Sequence, residues 1–284
     1  MRLTFLGHSC FLVETSLARI LIDPFLTGNP SAAARAEDIR CDAILVSHGH
    51  DDHVGDAVAI AQRNDALIVA NYELAEYLAA KGARTHGMNP GGAHAFPFGR
   101  VKLTLAHHSS SAEAGLNPIY LGSPCGILLQ AEGKTLYHAG DTALFLDMQL
   151  IGRAGLDVAL LPIGDNFTMG PDDALTALDF LQPKVAVPMH FNTWPVIAQD
   201  GPAFAAAAAQ RGHAVKVLHP ALADDAGFLR RFQNEARLAA ALHHPNVMAV
   251  YDWGEDGGVP FMVMELLTGG SLRGILDAGA LLSP

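Results

Sequence analysis

The sequence predicts an α/β fold built from layered sheets, on two observations. Short apolar or β-branched runs alternate with segments of helical spacing over about the first 212 residues. Half of the 284 residues are hydrophobic and 17% are charged, which is enough apolar material for a packed core. The alternation reads as one domain over 1–213, and 214–284 has a different character.

In chain order, 3–6 and 10–14 read as strands flanking the turn Gly7-His8-Ser9. A third strand, 18–22, is stopped by Asp23-Pro24. Residues 42–47 (DAILVS) are a continuous apolar run, as in a buried strand; a polar loop at 48–53 and a helix over 54–63 follow. Next come a strand at 67–70 and a helix at 72–81 ended by Gly82. Strands are expected at 101–106, 126–131 and 135–138, the last two joined by a turn at Glu132-Gly133-Lys134. Strands 158–162 and 185–188 enclose a helix at 172–181, with Pro171 suited to its start. An alanine-rich helix at 203–211 is closed by Gly212. Beyond it, 214–218 reads as a strand, 228–242 as an amphipathic helix, and 247–253 and 259–265 as two further strands.

Charge narrows the function classes. Lys and Arg number 18 against 29 Asp and Glu, a net charge of −11. Phosphate neutralisation along an extended nucleic acid needs clustered cations, and so does a polybasic membrane anchor; neither fits. No apolar run approaches the ~18 residues of a spanning helix, and the N-terminus reads as a strand, not a signal peptide. Cys10, Cys41 and Cys125 are widely spaced without a C-x-x-C pair, which fits a reducing compartment. The expectation is a cytoplasmic protein acting on a small molecule, with no membrane and no extended nucleic acid as partner. Homo-oligomerisation stays open.

Histidine is the outlier: 14 are present, eleven of them before residue 214. The densest run, His48-Gly49-His50-Asp51-Asp52-His53, follows the buried strand 42–47. Imidazoles and carboxylates are the natural ligands of zinc and similar divalent ions. Alternation lets His48 and His50 point into one site, while Asp52 and His53, where the chain turns into a helix, face a second. Distant strand ends offer the remaining ligands. One of His107 and His108 completes the first site, with His108 favoured. Asp141, after a small-residue turn, can bridge two metals, and His190 serves the second site. His8 reads as a substrate-facing or proton-donating residue, or else as a packing neighbour. Asp23 orients a ligand histidine. Asp165 and Asn192, on loops that reach the mouth of the site, are candidates for substrate binding or for plain loop hydrogen bonding.

These residues resemble the metallo-β-lactamase superfamily, whose members carry His-x-His-x-Asp-His followed by His, Asp and His ligands. More closely, the chain resembles a bacterial family of uncharacterised metal-dependent hydrolases near ascorbate-6-phosphate lactonase. Gly7-His8-Ser9, the stretch Ile22-Asp23-Pro24-Phe25-Leu26-Thr27-Gly28-Asn29-Pro30, and the segments 47–53, 137–144, 161–171 and 188–195 carry the likeness, over roughly 1–212. The resemblance implies a four-layer αββα sandwich with metals at one edge. His48, His50 and His108 would hold one ion, Asp52, His53 and His190 the other, and Asp141 would bridge. Two divalent cations follow, zinc first and manganese or nickel as alternatives. They would activate a hydroxide for cleavage of an ester, lactone or phosphodiester, with Asp52 also able to accept a proton.

The tail resembles part of the small lobe of a bacterial serine/threonine protein kinase. Ala214-Val215-Lys216-Val217-Leu218 matches its lysine-bearing strand, Phe232-Gln233-Asn234-Glu235-Ala236 its glutamate-bearing helix, and Phe261-Met262-Val263-Met264-Glu265-Leu266 its hinge strand. No glycine-rich loop, H-R-D or D-F-G occurs, so no kinase activity is expected. A chimeric or truncated reading frame is the preferred account, ahead of an interaction module. The competing functional reading is a non-catalytic metal-binding or regulatory protein that uses this tail to bind a partner.

Overall fold

The computed structural model describes residues 1–112 and 117–218, together with the backbone of two paired strands at 250–256 and 259–264. Two compact units are present, Met1–Ala221 and Leu222–Pro284. In the second, Val250–Asp256 and Val259–Met264 pair antiparallel. They overlap the strands expected at 247–253 and 259–265, the first shifted three residues toward the C-terminus. The helix expected at 228–242 lies outside the described residues.

The first unit is built on two six-stranded sheets. One contains β1 (Arg2–Gly7), β2 (Cys10–Glu14), β3 (Arg19–Ile22), β4 (Ala43–Leu45), β5 (Leu67–Asn71) and β6 (Thr85–Met88), in that spatial order. β1 to β3 run antiparallel and β3 to β6 parallel. The other contains β7 (Ala93–Phe96), β8 (Gly99–Leu105), β11 (Cys125–Ala131), β12 (Lys134–His138), β13 (Val158–Pro162) and β14 (Val185–Met189). Here too an antiparallel stretch, β7 to β12, gives way to parallel pairing through β14. Short β9 (Ser111–Ala112) and β10 (Ile119–Tyr120) form a separate ribbon.

Strand alternation sorts the core into layers. In the first sheet Phe11, Val13, Ile20, Ile22, Leu45 and Val69 join a cluster with Val101, Leu103, Ile127 and Leu129 of the second sheet. Their neighbours Leu21, Ile44, Val46, Ile68 and Ala70 turn the other way. They pack with Ile60 and Ala61 of α2 (Ala57–Asn64) and Leu74 and Leu78 of α3 (Tyr72–Ala80). α4 (Met148–Gly152), α5 (Pro171–Leu181) and α6 (Gly201–Gln210) supply Met148, Leu178 and Phe204 to the second sheet's core. The order is therefore helix, sheet, sheet, helix, the four-layer αββα sandwich that the sequence resemblance implies.

Local chemistry explains most boundaries. Asn71 caps α3 by accepting from Leu74 N at 3.0 Å, and Gly82, with φ +88°, follows its end. Pro171 begins α5, with Asp172 and Asp173 in its first turn. Asp200 caps α6. Glu132 and Gly133 both take positive φ, the twist a two-residue hairpin needs between β11 and β12.

Two expectations need correction, and two strands, β6 and β7, were not expected. The helix expected over 54–63 is two: α1 (Asp51–Val54) and α2. Gly55 breaks them, because it has φ +39° and a Cβ there would sit 2.5 Å from the Pro24 carbonyl oxygen. The strand expected at 214–218 is a single parallel bridge from Val215 to Ala186. Strands β6 and β7 carry glycine and histidine in place of an apolar run; ladder bonds to β5 and β8 hold them extended.

One surface network makes a pH prediction. Asp157 receives Lys184 Nζ at 2.8 Å, Lys134 Nζ at 3.3 Å and Thr135 N at 2.9 Å, ahead of β13. The Lys184 bond first, then the backbone donor, holds its carboxyl down to about 2. A depressed carboxylate contributes stability above its unfolded pKa and loses it as pH falls through the folded one. Asp157→Asn is therefore expected to melt lower than wild type at pH 7. The gap should close as the pH drops from about 4 to about 2, which thermal melts at stepped pH will read.

Candidate metal centre

The ends of β1, β3, β4, β8, β12, β13 and β14 are followed by loops that meet at one edge of the sandwich. His8 comes from the first of these loops and His48, His50, Asp52 and His53 from the segment after β4. His108 follows β8, Asp141 follows β12, and His190 follows β14. Six of the nine non-glycine residues with left-handed φ among the described residues lie in these turns: His8, Asp23, Asp165, Asn166, His190 and Asn192. Strain of this kind gathers where the fold must aim side chains.

The side chains form three overlapping groups: His48, His50 and His108; His48, His53 and Asp141; and His8, Asp52, His53 and His190. In the first, His50 Nδ1 is 3.0 Å from His48 Nε2 and 3.3 Å from His108 Nε2. Three ring nitrogens so close together suit a cation better than one another. Asp141 stands between the groups. Its Oδ1 is 3.3 Å from His53 Nε2, and its Oδ2 is 2.9 Å from His190 Nε2 and 3.7 Å from His108 Nε2. Asp52 Oδ2 lies 3.2 Å from His8, 3.8 Å from His190 and 4.0 Å from His53.

A buried relay behind the cluster fixes two tautomers. The Ser47 amide and hydroxyl donate to Asp23 at 2.8 and 2.6 Å. The hydroxyl proton is thereby spent, so Ser47 Oγ accepts from His48 Nδ1–H at 3.0 Å. His53 Nδ1–H donates to the same carboxylate at 2.8 Å. Both rings then present an Nε2 lone pair to the site, and a carboxylate behind a histidine is a recurrent support for a metal ligand. Asp23 thus sits where the sequence reading put it. The part of Ser47 was not foreseen, since a serine beside a histidine has no spacing signature.

Electrostatics make the same demand for positive charge. Burial alone would raise Asp141, yet His190 and His53 hold it well below the ordinary carboxylate range. Burial alone would lower His190, but Asp141 pushes it up to about 9. His53 is likewise raised against its burial by Asp141, Asp23 and Asp52. The protons on these rings stand where divalent cations would do the same work. His53 Nε2, Asp141 Oδ1 and His190 Nε2 are buried without a properly directed hydrogen bond, which is the state of atoms built to coordinate. The donor set fits a metal.

Other candidates fall further out. His107 is exposed against Phe145, and only its neighbour His108 joins the cluster. His138 is buried, with Nε2 donating to Ser9 O at 2.9 Å and Nδ1 accepting from Gly140 N at 3.1 Å, so it ties the two sheets together. Asn192 accepts from Gln199 N and, with His8, lines a cavity of about 620 Å³. Asp165 bonds within its own loop, to the Asn166 amide at 2.8 Å, and is not brought to the cluster. His8 Nδ1 is 2.8 Å from Thr193 Oγ1, a partner that no sequence spacing announced. Burial, against the pull of Asp52, takes His8 down to about 4.

Comparison with known proteins agrees with this geometry. Residues 2–190 match the β-lactamase superfamily domain. A UPF0173 metal-dependent hydrolase of Pelotomaculum thermopropionicum is 56% identical over 223 residues, 78% of this chain and 97% of that protein. One from Anoxybacillus flavithermus is 58% identical over 202 residues, 70% of this chain and 90% of that protein. The solved structure of Igni18, a metallo hydrolase from Ignicoccus hospitalis, superposes with a TM-score of 0.71 at 38% identity, over 77% of this chain and 94% of that one. With a His/Asp cluster able to hold metal at the edge of an αββα sandwich, the chain belongs to the β-lactamase superfamily and, within it, to the UPF0173 metal-dependent hydrolases.

Proposed function

We propose that residues 1–213 hydrolyse an ester, lactone or phosphodiester in a small molecule, using two divalent cations, zinc first and manganese or nickel as alternatives. The observation that carries this reading is Asp141, whose two oxygens face different imidazoles, His53 on one side and His190 and His108 on the other. His48, His50 and His108 would hold one cation, and Asp52, His53 and His190 the other, with Asp141 shared. Bound there, such a pair supplies Lewis acidity to a substrate oxygen and makes hydroxide available near neutral pH.

The chain's own residues do the rest. Asp52 is half-buried and reaches the cluster edge, where its Oδ2 can accept a proton from an attacking water. His8 Nε2, 3.2 Å from that oxygen, can pass the proton toward the leaving group. Thr193 fixes the ring from behind. A proton relay of this kind contributes about a hundredfold. His8→Asn is therefore expected to lower kcat by that factor while metal content stays at the wild-type value, as elemental analysis and steady-state kinetics will show.

A non-catalytic metal protein is the second reading. A structural zinc site closes with four ligands and excludes solvent. Here His50, Asp52 and His108 stay only partly buried, leaving one face open. Metal analysis with hydrolysis of chromogenic esters and phosphodiesters, for wild type and His48→Ala, tests the proposal. Expected are two ions per wild-type chain, fewer in the variant, and turnover lost with them. Equal turnover by both proteins overturns it.

A further inference from the structure

We infer that the substrate is uncharged and apolar around its scissile bond: a neutral acyl ester or lactone with a hydrocarbon side, not a phosphodiester or a phosphorylated sugar. This rests on the hydrolase reading above and narrows it.

The first support is the absence of cations where the substrate must approach. Among the described residues, the loop segments that carry or flank the cluster are 8–9, 23–34, 46–56, 105–112, 117–124, 139–147, 163–170 and 190–200. None contains a lysine or arginine, and together they carry eight acidic residues, of which Asp52 and Asp141 belong to the cluster; Lys216 stands just beyond them, beside Val217 of the cavity that His8 lines. An anionic substrate would find no lysine or arginine on these segments to receive it, in a chain of net charge −11.

The second is what does stand at the rim. Phe25 and Trp194 are half-buried, their rings 6.0 Å apart, and both lean on His8, at 5.8 and 5.0 Å. Val196, two residues beyond Trp194, is 56% exposed. Phe167 is 54% exposed on a loop pinned beside Asp141 by Met169 N donating to Thr142 O at 2.9 Å. Tyr120, 69% exposed, shares a cavity of about 730 Å³ with His108. Large apolar side chains held out into water on the same loops as the cluster mark a surface that a ligand covers. Such side chains take hydrocarbon out of water, and they offer nothing to the charge of a phosphate ester.

The test uses the zinc-loaded full chain and three substrates with one leaving group: p-nitrophenyl acetate, p-nitrophenyl hexanoate and p-nitrophenyl hexyl phosphate. We expect kcat/KM to rise severalfold from acetate to hexanoate and to be higher for hexanoate than for the diester. Phe167→Ala should flatten the acetate-to-hexanoate gain. Val196→Lys, on an exposed side chain, should shift the ester-to-diester ratio toward the diester by about two- to threefold at low salt, and the shift should vanish at 0.5 M NaCl, as screening at about that salt requires. A diester preferred by wild type, or ester rates independent of chain length, overturns the inference and leaves the hydrolase reading standing. Inactivity toward all three with metal bound overturns the hydrolase reading instead.

Discussion

Asp141→Ala should lower kcat/KM by at least about a thousandfold and reduce bound metal from two ions per chain toward none. Its two oxygens lie within 4 Å of His53, His190 and His108, so one carboxylate faces imidazoles from all three groups. Removing it also leaves raised, buried imidazoles without their counter-charge. Elemental analysis after exhaustive dialysis reads the first effect and chromogenic ester kinetics the second. Full metal content with full turnover would falsify the bridging role. Asp141→Asn serves as the companion variant, since it keeps volume and one acceptor and guards against misfolding as an explanation.

Asp23→Asn is expected to act through the relay, not the chemistry. The carboxylate is buried and surrounded by donors: the Ser47 amide, the Ser47 hydroxyl and His53 Nδ1–H. Asparagine offers one acceptor oxygen and turns an NH2 toward the remaining donors. The stability loss should be about 3 kcal/mol, the low end of what breaking a buried charged network costs. Metal affinity should fall by about 10- to 100-fold, as for other supports of metal-binding histidines. Denaturant melts of the metal-free protein isolate the first effect, and competition with a chelator the second. A variant with wild-type affinity and melting midpoint would remove Asp23 from the account.

Much of this site was legible because its residue types have little other use. Three histidines and two acids in six residues, 48–53, have no packing rationale, and strand ends at 108, 141 and 190 offered the right donors. The helices with explicit punctuation were equally readable: Pro171 at the start of α5, Gly82 after α3. What stayed hidden depends on contacts between distant segments. Gly55 breaks a helix only because Pro24 and Phe25 press on it from 30 residues away. Thr193 matters only because the turn at 190–193 lands beside His8. The edge strands β6 and β7 lack an apolar alternation because neither buries a whole face: of their eight residues only Met88 is buried, so periodicity had nothing to register.

The division of the first unit into two sheets has a practical corollary. Every strand of one sheet precedes residue 89 and every strand of the other follows residue 92, so the polypeptide crosses between them in the single turn Asn89-Pro90-Gly91-Gly92, which is largely exposed. His48, His50, Asp52 and His53 lie on one side of that crossing, and His108, Asp141 and His190 on the other. A cut at this turn would yield two fragments, each with one sheet and an incomplete set of donors. The molecule is thereby laid out for fragment complementation, with recovered turnover as a reporter of whatever brings the two pieces together.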